Sequence, residues 1–487
     1  MKPALYAIID DREAPPPEIE RLIGDVYYGD VLRRRRRYVD EMIAAAAGAD
    51  DVIVLRSEED TERLVRRIQS ARGDNLWLRL PLLAAPLNLS KLDFLIRKMR
   101  FALEPMILAP VFEDDVPMVL LSQDAIGLLL AKPGKERRAF ILSIAPEAAN
   151  VSHGVEFVDL RKPEALRLFL SGATEPRAFN DLSVDRGIFV KSSTDVEKMK
   201  AEHDFSNLAP PEMRRFLLPT FGYEERDGVA SYRMEHLRIP DAALQFVLGT
   251  LSTEHFEQLL DQFFDFIRSR SREDVGRKAV RECGTVQILD KMDKRLRAFA
   301  DTKEHANLDA MLQAGGFREG MQGLERRATT LIRTALDEHD SSYLAFSHGD
   351  PCLSNILFDR RIGLIRLIDP RGASTREDAL MHPLYDIAKL AHSICGGYDF
   401  INNALFSVEV DADLRLELVQ NRGGAPSWVA EIFRSRLSAE GWDFAQVRAV
   451  EASLFLSMLP LHREHPRKLL GFALTASKII EELEGLS

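Results

Sequence analysis

Cysteine is scarce in this chain: three residues in 487, Cys283, Cys352 and Cys395, widely spaced and odd in number. That pattern fits neither a disulfide framework nor a zinc site, and it points to a reducing compartment. Long apolar runs are missing too. No segment approaches the roughly 18 uninterrupted apolar residues of a membrane span, and the run in MKPALYAIIDDREAPPP is too short for a signal segment, with acidic residues directly behind it. The chain is therefore expected to be cytoplasmic, untargeted and not inserted in a membrane. An excess of positive charge is also absent: 65 Lys and Arg against 76 Asp and Glu leave −11, a field that repels polyanions and argues against a general nucleic-acid partner. What remains is 46% hydrophobic and 29% charged residues, the balance of a folded protein, in a chain too long for one ordinary core.

The first 170 or so residues alternate strand-like and helical stretches: ALYAIID, RRRYVDEMIAAAAGA, DVIVL, EEDTERLVRRIQSA, LWLRLPLL, and later the strand-like MVLLS and AFILSIA. Such alternation predicts an α/β layer on a mostly parallel sheet. The charge run Arg33 to Arg37 is read as the solvated first turn of a helix, offset by Asp30, Asp40 and Glu41, in preference to a phosphate-binding patch. From about Phe179 the pattern changes. FNDLSV and GIFVKS flank the turn DRG as a hairpin, a helix follows over TDVEKMKAEHDFSNL, and LLPTFGYEE and VASYRMEHL read as two more strands. Beyond Ile239 amphipathic helices dominate, among them HFEQLLDQFFDFIRSR, QILDKMDKRLRAFA and LERRATTLIRTALDEH.

One stretch interrupts the helices: SHGDPCLSNILFDRRIGLIRLIDPRGA, Ser347 to Ala373. It places Asp350 and Asn355 in a loop and Asp369 at the end of a strand, so that all three can meet on one face of a cleft. Phosphoryl transfer needs that set, because charge spreads over the phosphoryl oxygens and the protein supplies magnesium ligands and a group that orients the attacking hydroxyl. Asp369 and Asn355 are the candidate Mg2+ ligands, and Asp350 the candidate acceptor of the hydroxyl proton.

These residues resemble the catalytic loop and metal segment of the aminoglycoside phosphotransferase and choline kinase group, within the protein-kinase-like fold. His348, Asp350, Asn355 and Asp369 match its HGDxxxxN and following I-D elements, and Asp386 in LYDIAKLAH matches a later Asp that supports the loop; His348 is a scaffold residue in such loops. The resemblance implies a bilobal α+β domain, with an N-lobe over 171–240 and a mainly helical C-lobe over 241–487. It also implies a nucleotide site: Lys191 resembles the kinase Lys that holds the α and β phosphates, with Glu202 or Glu197 as its helix partner. Backbone groups of Glu235, His236 and Leu237 would form the hinge that meets adenine. The hairpin turn Asp185-Arg186-Gly187 departs from the glycine-rich loop of kinases, so ATP is only the default nucleotide.

HGDPCLSNILFD, LIDPRG and SMLPLHREHPRK are most similar to phosphotransferase-like proteins of bacterial capsule and surface-polysaccharide synthesis, in which a sugar nucleotidyltransferase often precedes the kinase-like part. In keeping with that, YYGDVLRRRRRYVDEMIAAAAGADDVIVL resembles a segment of sugar nucleotidyltransferases, which implies a Rossmann-like layer over 1–170. The glycine-rich loop and the strand-end metal Asp of those enzymes are missing, so this domain is expected to be noncatalytic. The expected activity is a small-molecule kinase acting on a hydroxyl of a sugar or polysaccharide precursor; the other reading is a nucleotide-binding pseudokinase that scaffolds assembly. Arg371 is a candidate clamp for an anionic acceptor, or else a partner of Glu377 or Asp378. His462, Arg463 and Arg467 could complete that pocket.

Overall fold

A computed structural model describes residues 4–33, 36–71, 75–86, 88–102, 106–107, 118–132, 134–144, 155, 157–171, 180–185, 188–237, 239–411 and 415–485. The chain divides into two units, Met1–Thr174 and Glu175–Ser487.

The first unit is built on strands β1 (Leu5–Asp10), β2 (Asp51–Leu55), β3 (Leu76–Pro81), β4 (Met106–Ile107) and β5 (Val119–Ser122), in the order β2-β1-β3-β5-β4. β1 runs parallel to β2 and β3, whereas β5 is antiparallel to both β3 and β4. The sheet is thus mixed rather than mostly parallel. The alternation of strands and helices does not reveal this, because it leaves the direction of the later strands open. Helices α1 (Tyr38–Ala45), α2 (Glu58–Ser70), α3 (Leu89–Met99), α4 (Gln123–Ala131) and α5 (Gly134–Ile144) complete the layer. α2 starts at a capping box, Ser57 with Asp60, as its SEED opening favours.

Two further expectations fail here. Residues 139–144 of AFILSIA are the end of α5 and not a strand, Ala145 lying outside the described residues: adjacent Phe140 and Ile141 face the same core cluster, which a helix allows and a strand's alternation forbids. The arginine run lies in a two-stranded ladder, Leu32–Arg33 with Arg36–Arg37, ahead of α1. Arg33 is buried, 3.9 Å from the Glu41 carboxylate and over the Phe169 ring, while Arg37 pairs with Asp40 at 2.9 Å. Arg34 and Arg35 lie outside the described residues.

The second unit opens with an antiparallel sheet of β6 (Asn180–Asp185), β7 (Ile188–Ser193), β8 (Thr220–Arg226) and β9 (Val229–Glu235), in the order β6-β7-β9-β8. Helix α6 (Val196–Leu208) begins at the Asp195 cap and lays Met199 against Ala230, Tyr232 and Met234 of the sheet. Phe179 and the turn residues Arg186 and Gly187 lie outside the described residues.

The rest is mainly helical: α7 (Thr253–Ser269), α8 (Lys291–Ala300), α9 (Gly320–Glu338), α10 (Leu384–Ile394), α11 (Phe444–Met458) and α12 (Pro466–Glu484), with strands β10 (Tyr343–Phe346), β11 (Ile356–Asp359) and β12 (Leu364–Leu367). α11 packs against α9, α10 and α12. The stretch Phe444–His462 is, among the described residues, the helical segment long and apolar enough to cross a membrane; most of it is buried in this core, with Leu461 exposed. β12 ties the two parts of the unit together, because Leu367 donates to the Phe216 carbonyl at 2.7 Å and accepts from the Leu218 amide at 3.0 Å. That seam carries the chain directly into Asp369.

Candidate active site

Lys191, on β7, is buried beneath the sheet, and α6 runs past it. Its ammonium lies 2.5 Å from Glu202 Oε2 and also pairs with Asp369 Oδ1. Glu202, and not the exposed Glu197, is therefore the helix carboxylate that meets this lysine. Tyr232 on β9 donates its phenol to the same Glu202 oxygen at 3.0 Å. Burial works against the Lys191 charge, but Asp369 and Glu202 outweigh it and hold its pKa above the usual lysine value. Burial, and then the nearby Asp369, pushes Glu202 up. Lys198, one turn before Glu202 on α6, lies 3.5 Å from its other oxygen, so two ammonium groups face the two carboxylates and Lys191 is the one shared between them.

Asp369 has a left-handed backbone, φ 59°, an uncommon conformation for a non-glycine residue. Past it, Gly372 (φ 84°) comes so close to α6 that a Cβ there would sit 2.8 Å from the Glu202 amide nitrogen. Ala373 then donates to the Ala201 carbonyl at 3.1 Å. The strand that delivers Asp369 and the helix that delivers Glu202 are thus joined through backbone.

The loop from Ser347 to Asn355 is held by α10. Asp386 accepts from the amides of His348 (3.1 Å) and Gly349 (2.8 Å), and Arg270 at the end of α7 donates to it at 3.3 Å. Three positions on, Lys389 lies 2.8 Å from Asp350 Oδ1. Ser393, four positions further, accepts from the Leu353 amide at 3.1 Å. Burial opposes the Lys389 charge, yet Asp350 and then Tyr385 raise its pKa. His348 is fully buried and held neutral by that burial, and its Nδ1 accepts from the Asp350 amide at 3.3 Å. Asn355 donates from its side-chain amide to the Asp350 carbonyl at 2.8 Å and accepts on its own carbonyl from Ile368, at 3.0 Å, one residue before Asp369. The bond through Nδ2 leaves the side-chain oxygen of Asn355 for another ligand.

Glu235 ends β9, opposite Ile188, with His236 and Leu237 following it. Arg371 is exposed, its amide donating to the His348 carbonyl at 2.9 Å, and its charge acts on Lys291 and Tyr385. Asp378 instead accepts from Thr375. Arg467 donates to the Phe406 carbonyl at 3.0 Å and stacks over that ring, His462 packs on Phe472, and Arg463 is exposed. The structure does not gather these three around Arg371.

The sequence reading overlooked Lys389, Tyr232, Arg270 and Ser393. A signal for two of them existed: Asp386, Lys389 and Ser393 fall at i, i+3 and i+7, a polar stripe on an otherwise apolar helix. In the first unit, the carboxylates at the end of β1 are already engaged. Asp10 pairs with Arg12 (2.7 Å) and Arg79 (2.8 Å), and Asp11 with Arg56 (3.1 Å) and the Gly29 amide. Among the described residues no group of three or more His, Cys, Asp and Glu side chains is placed to hold a metal.

No family model matches the chain, and no curated protein does. Among solved structures, crystal structures of a thermostable mutant of aminoglycoside phosphotransferase APH(4)-Ia are similar to it at 10% identity. The apo form covers 63% of this chain and 92% of its own, with a TM-score of 0.37. A ternary complex with ADP and hygromycin B covers 62% and 94%, at 0.35. Another, with AMP-PNP and hygromycin B, covers 63% and 92%, at 0.38.

Proposed function

We propose that the second unit is a small-molecule kinase of protein-kinase-like fold, transferring the γ-phosphate of a nucleotide, ATP by default, to a hydroxyl of a sugar or polysaccharide precursor. The observation that carries this is the joining of Lys191 to both Glu202 and Asp369, the latter 178 positions away, beside a loop that presents Asp350 and Asn355. Lys191, kept charged, binds nucleotide phosphates, and Glu202 and Tyr232 orient it. Asp369 and the free side-chain oxygen of Asn355 are two hard oxygen donors, a set that suits Mg2+, which takes its remaining ligands from water and phosphates. When bound, that ion neutralises charge on the phosphate oxygens.

Asp350 orients the acceptor hydroxyl and takes its proton as the oxygen bonds to the γ-phosphorus. The bond to the β–γ bridging oxygen breaks, and the nucleoside diphosphate leaves with that electron pair. Lys389 positions Asp350, while Asp386 and Arg270 hold the loop. The first unit, with its strand-end carboxylates spent on arginines, is read as a noncatalytic nucleotidyltransferase-like domain.

Calorimetric titration of ATP with and without magnesium, together with turnover against sugars, sugar phosphates and amino alcohols, tests this reading. Asp369→Ala is expected to abolish magnesium-dependent nucleotide binding; Asp350→Asn should keep binding and lose turnover. Equal loss of binding in both variants would sink the assignment of roles. Tight magnesium-dependent binding by the wild type, with no turnover on any acceptor class, would instead favour the scaffolding pseudokinase.

A further inference from the structure

Lys389, the residue paired with Asp350, lines a small and narrow cleft that does not include Lys191. α8, α10 and α11 line it, together with the π-helical segment Thr285–Asp290 ahead of α8. The lining residues include Lys291, Arg295 and Lys389 and not one carboxylate. In a chain of net charge −11 that is a local reversal of sign. Lys291 donates to the Tyr385 phenol at 2.7 Å and has no carboxylate partner among the described residues. Arg371, exposed above the loop, adds its field to the same two side chains.

A half-buried ammonium that meets only a phenol is poorly compensated. Burial, followed by the fields of Arg371 and Lys389, lowers the Lys291 pKa, as a site awaiting negative charge would. The π-helical segment is a second sign, since such interruptions concentrate where a helix serves a ligand. Lys389 links the cleft to the chemistry: the residue lines the cleft and its ammonium lies 2.8 Å from Asp350 Oδ1. An anionic group seated here puts the rest of its molecule within reach of the Asp350 carboxylate, whereas a polycationic acceptor meets repulsion from Lys291 and Arg295, the charge of Lys389 being answered by Asp350.

We propose that this cleft is the anion subsite of the acceptor, so that the kinase acts on a hydroxyl compound that already carries a phosphate monoester or a carboxylate. This rests on the kinase reading above and names its substrate class. The test is titration of the full-length protein with inorganic phosphate, glucose 6-phosphate, glucuronate, glucose and glucosamine, each without nucleotide and with magnesium and a nonhydrolysable ATP analogue. At least one anion should bind roughly tenfold or more tightly than glucose, and glucosamine no better than glucose. Glucose 6-phosphate against glucuronate separates phosphate from carboxylate. Lys291→Gln and Arg295→Gln should each reduce that preference while nucleotide affinity holds, which also reports that the variants are folded. No preference for any anion in the wild type overturns the proposal, and so does a preference that survives both substitutions. Failure of nucleotide binding is a separate result: it overturns the kinase reading, whereas the titrations without nucleotide still report on the cleft.

Discussion

Two lysines do different work at this site, and the difference lies in what each ammonium faces. Lys191 sits between two carboxylates, Glu202 and Asp369, which in the proposed reading would face the nucleotide. Lys389 faces the single carboxylate that would meet the acceptor, Asp350. Replacing Lys389 by Met removes the partner of Asp350 without touching Lys191, Glu202 or Asp369. Steady-state kinetics of Lys389→Met should show kcat reduced about a hundredfold through loss of positioning, with the nucleotide KM little changed. A wild-type kcat would reduce Lys389 to packing.

At the scale of elements, α10 and α6 each couple to a loop by a different device. α10 advances in step with the loop it holds, from Asp386 on His348 and Gly349, to Lys389 on Asp350, to Ser393 on Leu353. α6 is coupled through contact at Gly372, where a side chain would strike the backbone of Ala201 and Glu202. Gly372→Ala should therefore displace α6 or the Asp369 segment, costing about 1–3 kcal/mol of stability and weakening nucleotide binding. Gly228→Ala is the control, since Gly228 has φ 76° but open space around it. Denaturation midpoints and calorimetry on the two variants separate the conformational cost, shared by both, from the contact with α6, unique to Gly372. Equal nucleotide affinity in both would show that the contact does not matter.

Across the whole molecule, the two units carry buried groups with opposite responses to acid. Burial raises Asp11 in the first unit to about 7, so between about pH 4 and 7 the folded state holds a proton that the unfolded chain has lost, and stability falls as pH rises. Burial, then the neighbouring His339, lowers His382 in the second unit to about 3. Between that value and about pH 6.5 the unfolded chain binds the extra proton, and stability falls as pH drops. Each contribution is on the order of 1 kcal/mol per pH unit. In urea titrations from pH 4 to 7, Asp11→Asn should gain on the wild type as pH rises, in the transition of the first unit. His382→Gln should gain as pH falls, in that of the second. Parallel pH profiles for a variant and the wild type would show that its group does not titrate as described.

Asp350, Asn355 and Asp369 were legible in the sequence because they fall in one short stretch, where turn chemistry and a strand dictate their spacing. The hairpin, helix and strands around Lys191 were legible from local periodicity in the same way. Other features were not. AFILSIA is too short for its period to tell helix from strand, and the antiparallel direction of β5 follows from no local pattern. Glu202 over Glu197 was decided by which face of α6 turns inward. The contact of Lys191 with Asp369 closes across 178 residues, and the acid-free cleft is assembled from three helices and a π-helical segment. Local sequence determines which groups are available and how they repeat along a helix or strand. Which of them share a low-dielectric space, and so which charges are answered and which are left open, is decided only when distant elements pack.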